Sequence, residues 1–213
     1  MVENLQIIIR TNSFWSTCIF PQNNLMTKSN LSFVFVGSLS VRKAALDIIQ
    51  AVKDISDIDL VLIGDGEQRA LIEKGIADYH LRNVKLLGTR NNSEIMQLIA
   101  DKDVFVMSSH YDGWGAVVNE ALTCGLYVIC TDRSGARDLL ESTQRGMIYH
   151  AGDISQLHEC IQWCMANAYK IQHSKEERIK WAARSIDGKV LATYFIDCLQ
   201  GLKPTKPWVD ALV

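Results

Sequence analysis

The sequence has almost no net charge: 22 lysines and arginines stand against 24 aspartates and glutamates, a formal charge of −2. That balance excludes a nucleic-acid binder held by bulk positive charge. There is no long block of like charge, no low-complexity tract and no internal repeat. No apolar run reaches the roughly 20 residues that a membrane span needs. The opening MVENLQIIIRTNSFWSTCIF lacks a basic start, a long apolar run and a small-residue cleavage site, so it does not read as a secretory signal. The six cysteines, Cys18, Cys124, Cys130, Cys160, Cys164 and Cys198, contain no C-x-x-C pair, and no histidine cluster accompanies them. They read as small apolar core residues of a reducing compartment, not as zinc ligands. A soluble, cytoplasmic protein without a metal or cofactor is the expectation. G-x-x-x-x-G-K-[ST] and G-x-S-x-G are both missing.

What is present is a globular composition, 48% hydrophobic and 22% charged over 213 residues. From Leu31 short continuous apolar runs alternate with amphipathic ones: SFVFVG, then KAALDIIQAVKDI; DLVLIG, then EQRALIEKGIADY; VKLLG, then SEIMQLIADK; DVFVMSS, then GAVVNEALTCG. YVICTD, GARDLLES and GMIYH continue the series. Strands apolar on both faces belong to parallel sheets covered by helices on both sides. The pattern predicts an α/β fold: a doubly wound, Rossmann-like parallel sheet of about six strands, followed by C-terminal helices. ISQLHECIQWCMANA, SKEERIKWAARS and KVLATYFIDCLQGL predict three such helices. The expected division is a linker or upstream remnant at 1–30, a Rossmann-like domain at 31–202 and a tail at 203–213.

Ligands of such sheets bind outside the carboxyl ends of the strands, where helix N-termini favour phosphate. Three loops qualify. In GSLSVRK, Gly37 lets the chain turn, and Arg42 and Lys43 arrive at a helix start, where cations are disfavoured unless an anion offsets them. In GDGEQR, Gly64 and Gly66 lack the third glycine of a dinucleotide fingerprint, so the segment reads as a tight turn into a helix capped by Asp65. In YDGWGAVVNE, Gly113 and Gly115 permit close backbone approach, with the amides around Trp114 to Ala116 aimed at a ligand. Glu120 then falls about two turns into a largely apolar helix. Its carboxylate reads equally as an acceptor for a ribose diol or as a structural group, paired with a buried basic residue or lying on a solvated edge. The D-x-D at Asp101–Asp103 precedes its strand, and reads as a helix end and strand start without metal.

Together, GSLSVRKA, GDGEQRALIEKGIA, VKLLG, KDVFVMSSHYDGWGAVVNEALTCGLYVI and SGARDLL resemble, in order and spacing, the C-terminal half of the retaining group-1 (family 4) glycosyltransferases of GT-B fold. The resemblance runs from about Leu31 to His150, and RSIDGKVLATYFIDCL is similar to the family's closing helix. It implies that Lys43 holds the donor diphosphate and that Gly113, Trp114 and Gly115 present their amides to the phosphates and sugar. It also implies that Glu120 holds the ribose hydroxyls, Asp112 contacts the donor sugar, and the segment from Thr89 meets the base. Asp112 and Glu120 stand on the family's E-x7-E, so they are the implied catalytic pair. Gly37, Ser38, Arg42, Lys43, Thr89, Gly113, Trp114, Gly115 and Glu120 are the implied nucleotide-binding set.

The chain departs from that pattern. Ser38 stands at the family arginine, with Arg42 as its substitute; Asp112 is one methylene shorter than the family glutamate; and Ser134 replaces a glycine. Prolines expected near Ser108, Tyr127 and Arg137 are missing. The resemblance covers the donor half alone. It implies a UDP- or GDP-sugar donor, an acceptor domain or partner subunit elsewhere, no transfer by this chain in isolation, and a role in polysaccharide or glycoconjugate synthesis. Self-association through an exposed docking face is a further expectation. The competing reading is a non-catalytic nucleotide-binding module or relic of the same fold. A Rossmann oxidoreductase is disfavoured by the missing third glycine.

Overall fold

The structure, a computed structural model, describes residues 30–55, 57–140 and 142–209. The expected linker or remnant at 1–30 lies, apart from Asn30, outside the described residues, as does Cys18. Six strands form one sheet in the order β3-β2-β1-β4-β5-β6. They are β1 Ser32–Val36, β2 Asp59–Ile63, β3 Val84–Leu86, β4 Val104–Met107, β5 Tyr127–Thr131 and β6 Gly146–Tyr149. Every neighbouring pair is parallel. The helices are α1 Ala45–Ala51, α2 Arg69–Asp78, α3 Asn92–Ala100, α4 Ala116–Thr123, α5 Ile154–Ala166, α6 Ala168–His173, α7 Lys175–Ser185 and α8 Gly188–Leu199, with a 3-10 helix at Gly135–Leu140.

Alternate residues of each strand enter separate cores, because successive side chains of a strand point to opposite faces. Phe33, Phe35, Leu60, Leu62, Val104, Val106, Tyr127 and Ile129 pack with Ile48 and Ile49 of α1 and Leu157 and Ile161 of α5. Val34, Val61, Phe105, Met107, Val128 and Cys130 pack with Val118, Ala121 and Leu122 of α4 and Trp181 of α7. Burial of each large side chain contributes about 1.5–3 kcal/mol. The two-faced apolar strands thus found helices on both sides.

Three expectations need correction. The C-terminal region has four helices, not three, because AYKIQH forms α6 between the first two. Cys198 is exposed and Cys160 only half-buried, so the cysteines are not all core residues. Asp65 does not cap α2: its Oδ1 accepts from the Gly66 amide at 2.8 Å and its Oδ2 pairs with Arg69 at 3.1 Å, while Gln68 occupies the cap position. The need for glycine in this turn is steric. A Cβ on Gly64, at φ +141°, would fall 1.9 Å from the Gly37 carbonyl oxygen, and one on Gly66 would fall 2.6 Å from that of Leu39.

Helix starts follow local chemistry. α3 opens with a capping box, in which Asn91 Oδ1 accepts from the Glu94 amide and Glu94 Oε2 from the Asn91 amide, both at 2.9 Å. α5 is capped by Asp153, which accepts from the Gln156 amide at 2.9 Å. Asp101 closes α3, and Asp103 accepts from the Ser32 amide and hydroxyl at 2.9 and 2.8 Å, so the D-x-D is a helix end and strand start. α8 buries no residue and leaves Phe195, Ile196 and Leu199 exposed. Beyond it, Trp208 packs on the second core and meets Tyr194 edge-on.

Candidate functional site

In this strand order the chain runs outward in one direction from β1 through β3 and in the other from β4 through β6. The switch point lies between β1 and β4, and in doubly wound sheets the ligand crevice lies outside the carboxyl ends of the strands at that point. The β1 loop carries Gly37 to Ala44, and the β4 loop carries Ser108 to Gly115. The two loops are bonded to each other. The His110 amide donates to the Arg42 carbonyl at 2.9 Å, the Ser108 hydroxyl to the Lys43 carbonyl at 2.9 Å, and Arg42 Nη1 to the Tyr111 carbonyl at 3.2 Å.

Their charged centre is one ion pair. Lys43 Nζ lies 2.5 Å from Asp112 Oδ2, with both side chains largely shielded from solvent, and Arg42 Nη1 lies 3.9 Å from the same oxygen. Oδ1 of Asp112 accepts from the Gly115 amide at 2.7 Å and the Trp114 amide at 3.3 Å. Burial alone raises the Asp112 carboxyl; the hydrogen bond and charge of Lys43, with the two amides, outweigh it and hold the carboxyl below its ordinary value. The helix α1 begins at Ala45, so Lys43 belongs to the turn before it, and Ala44 turns the chain at φ 53°. The anion that the lysine at a helix start called for is present: it is the carboxylate of Asp112.

The β5 loop forms the floor. The Asp112 amide donates to the Arg133 carbonyl and the Gly135 amide to the Asp112 carbonyl, each at 3.1 Å. Gly115 starts α4 at φ 79°, a left-handed conformation that favours glycine, and a Cβ there would lie 2.7 Å from Ser134 Oγ. A Cβ on Gly113 would meet nothing, so its lack of a side chain serves no packing need. Among the described residues no side chain caps α4, and a helix N-terminus favours an anion.

Glu120 is the fifth residue of α4, little more than one turn from its start, where the sequence had suggested two. It is half-buried, burial pushes its carboxyl up, and among the described residues it has no hydrogen-bond or ion-pair partner. No described residue therefore forms the structural pair, and the carboxylate is too buried to lie on a solvated edge. Its neighbour Asn119 is buried, with Oδ1 unpartnered among the described residues.

The structure therefore brings together Arg42, Lys43, Asp112, Gly113, Trp114 and Gly115. Gly37 and Ser38 begin the same β1 loop: the Gly37 amide donates to Ile63 at 3.0 Å, and the Ser38 hydroxyl lies 3.0 Å from that of Ser40. Thr89 is exposed beyond Gly88, after the edge strand β3, and shares no hydrogen bond with Lys43 or Asp112. Sequence reasoning did not single out Ser108 and His110 as supports of the Lys43 turn. His110 Nε2 sits 2.7 Å from Asp47 Oδ2. Their position at the end of an apolar strand was the signal available. A separate concavity of about 330 Å³, lined by Tyr127, Trp163, Tyr169 and His173 among others, opens at the N-terminal edge of β5, the end of the sheet opposite the crevice.

A parallel doubly wound sheet with Arg42, Lys43 and Asp112 gathered at its switch point defines a Rossmann-like α/β protein. The comparisons narrow this. The family Glycosyl transferases group 1 matches residues 19–185, and the chain belongs to it. A GDP-mannose-dependent alpha-mannosyltransferase of Mycobacterium tuberculosis is 32% identical over 119 residues, 56% of this chain and 30% of that protein. Anabaena HepE in complex with UDP superposes with a TM-score of 0.71 at 24% identity, over 82% of this chain and 50% of that one. The same protein with UDP-glucose gives 0.70 at 26% identity, over 81% and 49%. The chain thus spans half or less of the length of these relatives.

Proposed function

We propose that this chain is the donor half of a retaining glycosyltransferase of GT-B architecture and holds a nucleoside diphosphate-sugar in the β1–β4 crevice. The observation that carries the reading is the cradle itself. Lys43, Arg42 and the amides of Trp114 and Gly115 converge on one anion at the switch point. A diphosphate offers the same kind of charged acceptor. Glu120, on the helix that leaves this cradle and paired by no described residue, is the acceptor for ribose hydroxyls. Asp112, once released from Lys43 and its own loop amides, is the group to contact the sugar. UDP and GDP are the favoured donors' diphosphates, since HepE was solved with UDP and the mannosyltransferase is named for GDP-mannose. No metal takes part in this reading, because the cations of the chain itself balance the phosphates.

Transfer needs an acceptor held opposite the donor, and bringing reactants into attack geometry contributes about 7–11 kcal/mol. An acceptor domain or partner subunit supplies that opposing wall, and the exposed apolar residues of α8 are a face for it. The chain alone binds donor in the micromolar-to-millimolar range and transfers nothing at enzymatic rates. The setting is cytoplasmic synthesis of a polysaccharide or glycoconjugate. The test is a thermal-shift and calorimetric panel of UDP, GDP, ADP and NAD, followed by incubation with radiolabelled nucleotide-sugars and mixed acceptors. Stabilisation by one diphosphate without product supports the reading. Stabilisation by NAD alone, or rapid transfer by the isolated chain, overturns it.

A second reading, a non-catalytic nucleotide-binding module, is favoured by one observation: both oxygens of the Asp112 carboxylate are engaged by Lys43 and by amides of its own loop. Absence of transfer even when the acceptor half is supplied would select it.

A further inference from the structure

We infer that Asp112 is a built-in competitor for the donor diphosphate: its carboxylate occupies the anion cradle that the diphosphate must enter, and its displacement sets donor affinity. The inference rests on the donor-site reading above and deepens it. Both carboxylate oxygens are already spent. Oδ2 faces Lys43 at 2.5 Å and Arg42 at 3.9 Å, and Oδ1 takes the Gly115 and Trp114 amides at 2.7 and 3.3 Å. These are the cations and donors that a phosphate group would use.

The short side chain makes this possible. Aspartate folds back onto amides two and three residues ahead, a turn that its carboxylate closes well. A glutamate, one methylene longer, carries its carboxylate further from its own backbone. The rest of the cradle is held in place. Asp112 is pinned at both its amide and its carbonyl, through Arg133 and Gly135, and the Lys43 carbonyl is held by Ser108. The lysine side chain is only 17% exposed, so it cannot simply swing into solvent to meet a ligand. A diphosphate entering beside a retained carboxylate would place like charges together. Neutralising Asp112 in place is opposed by the same lysine, which favours its charged form. The remaining route is rotation of the carboxylate out of the cradle. Diphosphate entry and release of Asp112 toward the sugar position are then one event.

The experiment is calorimetric titration of inorganic pyrophosphate, UDP and GDP into the wild-type chain, Asp112→Asn, Asp112→Glu, Lys43→Ala and the Lys43→Ala/Asp112→Asn double variant. Asparagine keeps an oxygen for the two amides and removes the competing charge. Pyrophosphate, and whichever nucleoside diphosphate the wild type binds, should bind Asp112→Asn about tenfold more tightly, the factor that 1.4 kcal/mol represents. The gain should vanish on the Lys43→Ala background, because the two residues act through one contact. Asp112→Glu should also bind more tightly, by a smaller factor, and it carries the test if the asparagine variant melts early. Unchanged or weaker pyrophosphate binding in folded Asp112→Asn or Asp112→Glu overturns the inference, even if UDP or GDP binds the wild type and the donor-site reading stands. A pyrophosphate gain with no nucleotide bound by any variant supports the competition and sinks the donor-site reading.

Discussion

Replacing Glu120 by glutamine should move stability and donor affinity in opposite directions. The carboxylate is half-buried on α4, desolvation has raised it, and no described group pairs with it. Taking an unpaired polar group partly out of water destabilises a protein by about 1–3 kcal/mol when fully buried, so half-burial puts the penalty on the order of 1 kcal/mol. Glutamine keeps the shape and removes the charge. The ligand-free variant should melt about 2–4 °C higher than the wild type at neutral pH. The sign of the pH dependence follows from the raised carboxyl. The folded chain binds the Glu120 proton more tightly than the unfolded chain does, so the penalty is absent below the ordinary value of 4.5 and grows as pH rises through the raised one. The difference in melting temperature should therefore shrink toward zero near pH 4. Donor binding should respond the other way. A hydrogen bond to a charged group contributes about 1.5–3 kcal/mol, so affinity for the nucleoside diphosphate should fall roughly 10- to 100-fold. Differential scanning calorimetry at several pH values and titration calorimetry with UDP and GDP read both effects. A glutamine variant that melts lower, with donor affinity unchanged, would refute the reasoning and give Glu120 a structural role.

Other perturbations separate the site from its scaffold. Lys43→Ala should weaken UDP or GDP by roughly tenfold or more while leaving the free nucleoside unaffected, because lysine acts as a point charge on phosphate; equal losses for both ligands would place Lys43 away from the diphosphate. Gly64→Ala should destabilise the chain by several kcal/mol on the order of a severe core lesion, since its Cβ would overlap the Gly37 carbonyl at 1.9 Å; a soluble variant with a wild-type denaturation midpoint would contradict the packing of the β1 and β2 loops. Arg178→Met should lower the melting temperature by about 4–12 °C. Arg178 is 2% exposed and donates to the Gly125 and Ile171 carbonyls and the Ser174 hydroxyl, so its loss strands three acceptors. Unchanged melting in that variant would show that relief from burying the cation offsets those bonds.

Much of the architecture was legible because it rests on periodicity. Runs such as FVFV at 33–36 and VFVM at 104–107 are apolar at every position, and only a sheet covered on both faces buries both sets of side chains. Errors fell where periodicity is silent. AYKIQH is a helix of 6 residues, too short for a repeat of 3.6 to stand out from its neighbours. Asp65 was misread because an aspartate before a helix can cap that helix or bond to the next amide, and the sequence is the same in either case.

The sequence by itself determined the strand count, the covered parallel sheet, the loops that carry Lys43 and Asp112, and the family pattern those loops belong to. Each of these depends on residue type and local spacing. Only the tertiary structure decided which groups meet. Lys43 and Asp112 are 69 residues apart in the chain. They touch because β1 and β4 pair across the point where the strand order reverses. Spacing along the chain likewise left the state of Glu120 open between a paired and a free carboxylate. In the fold, α4 buries the carboxylate halfway, and no described residue pairs with it.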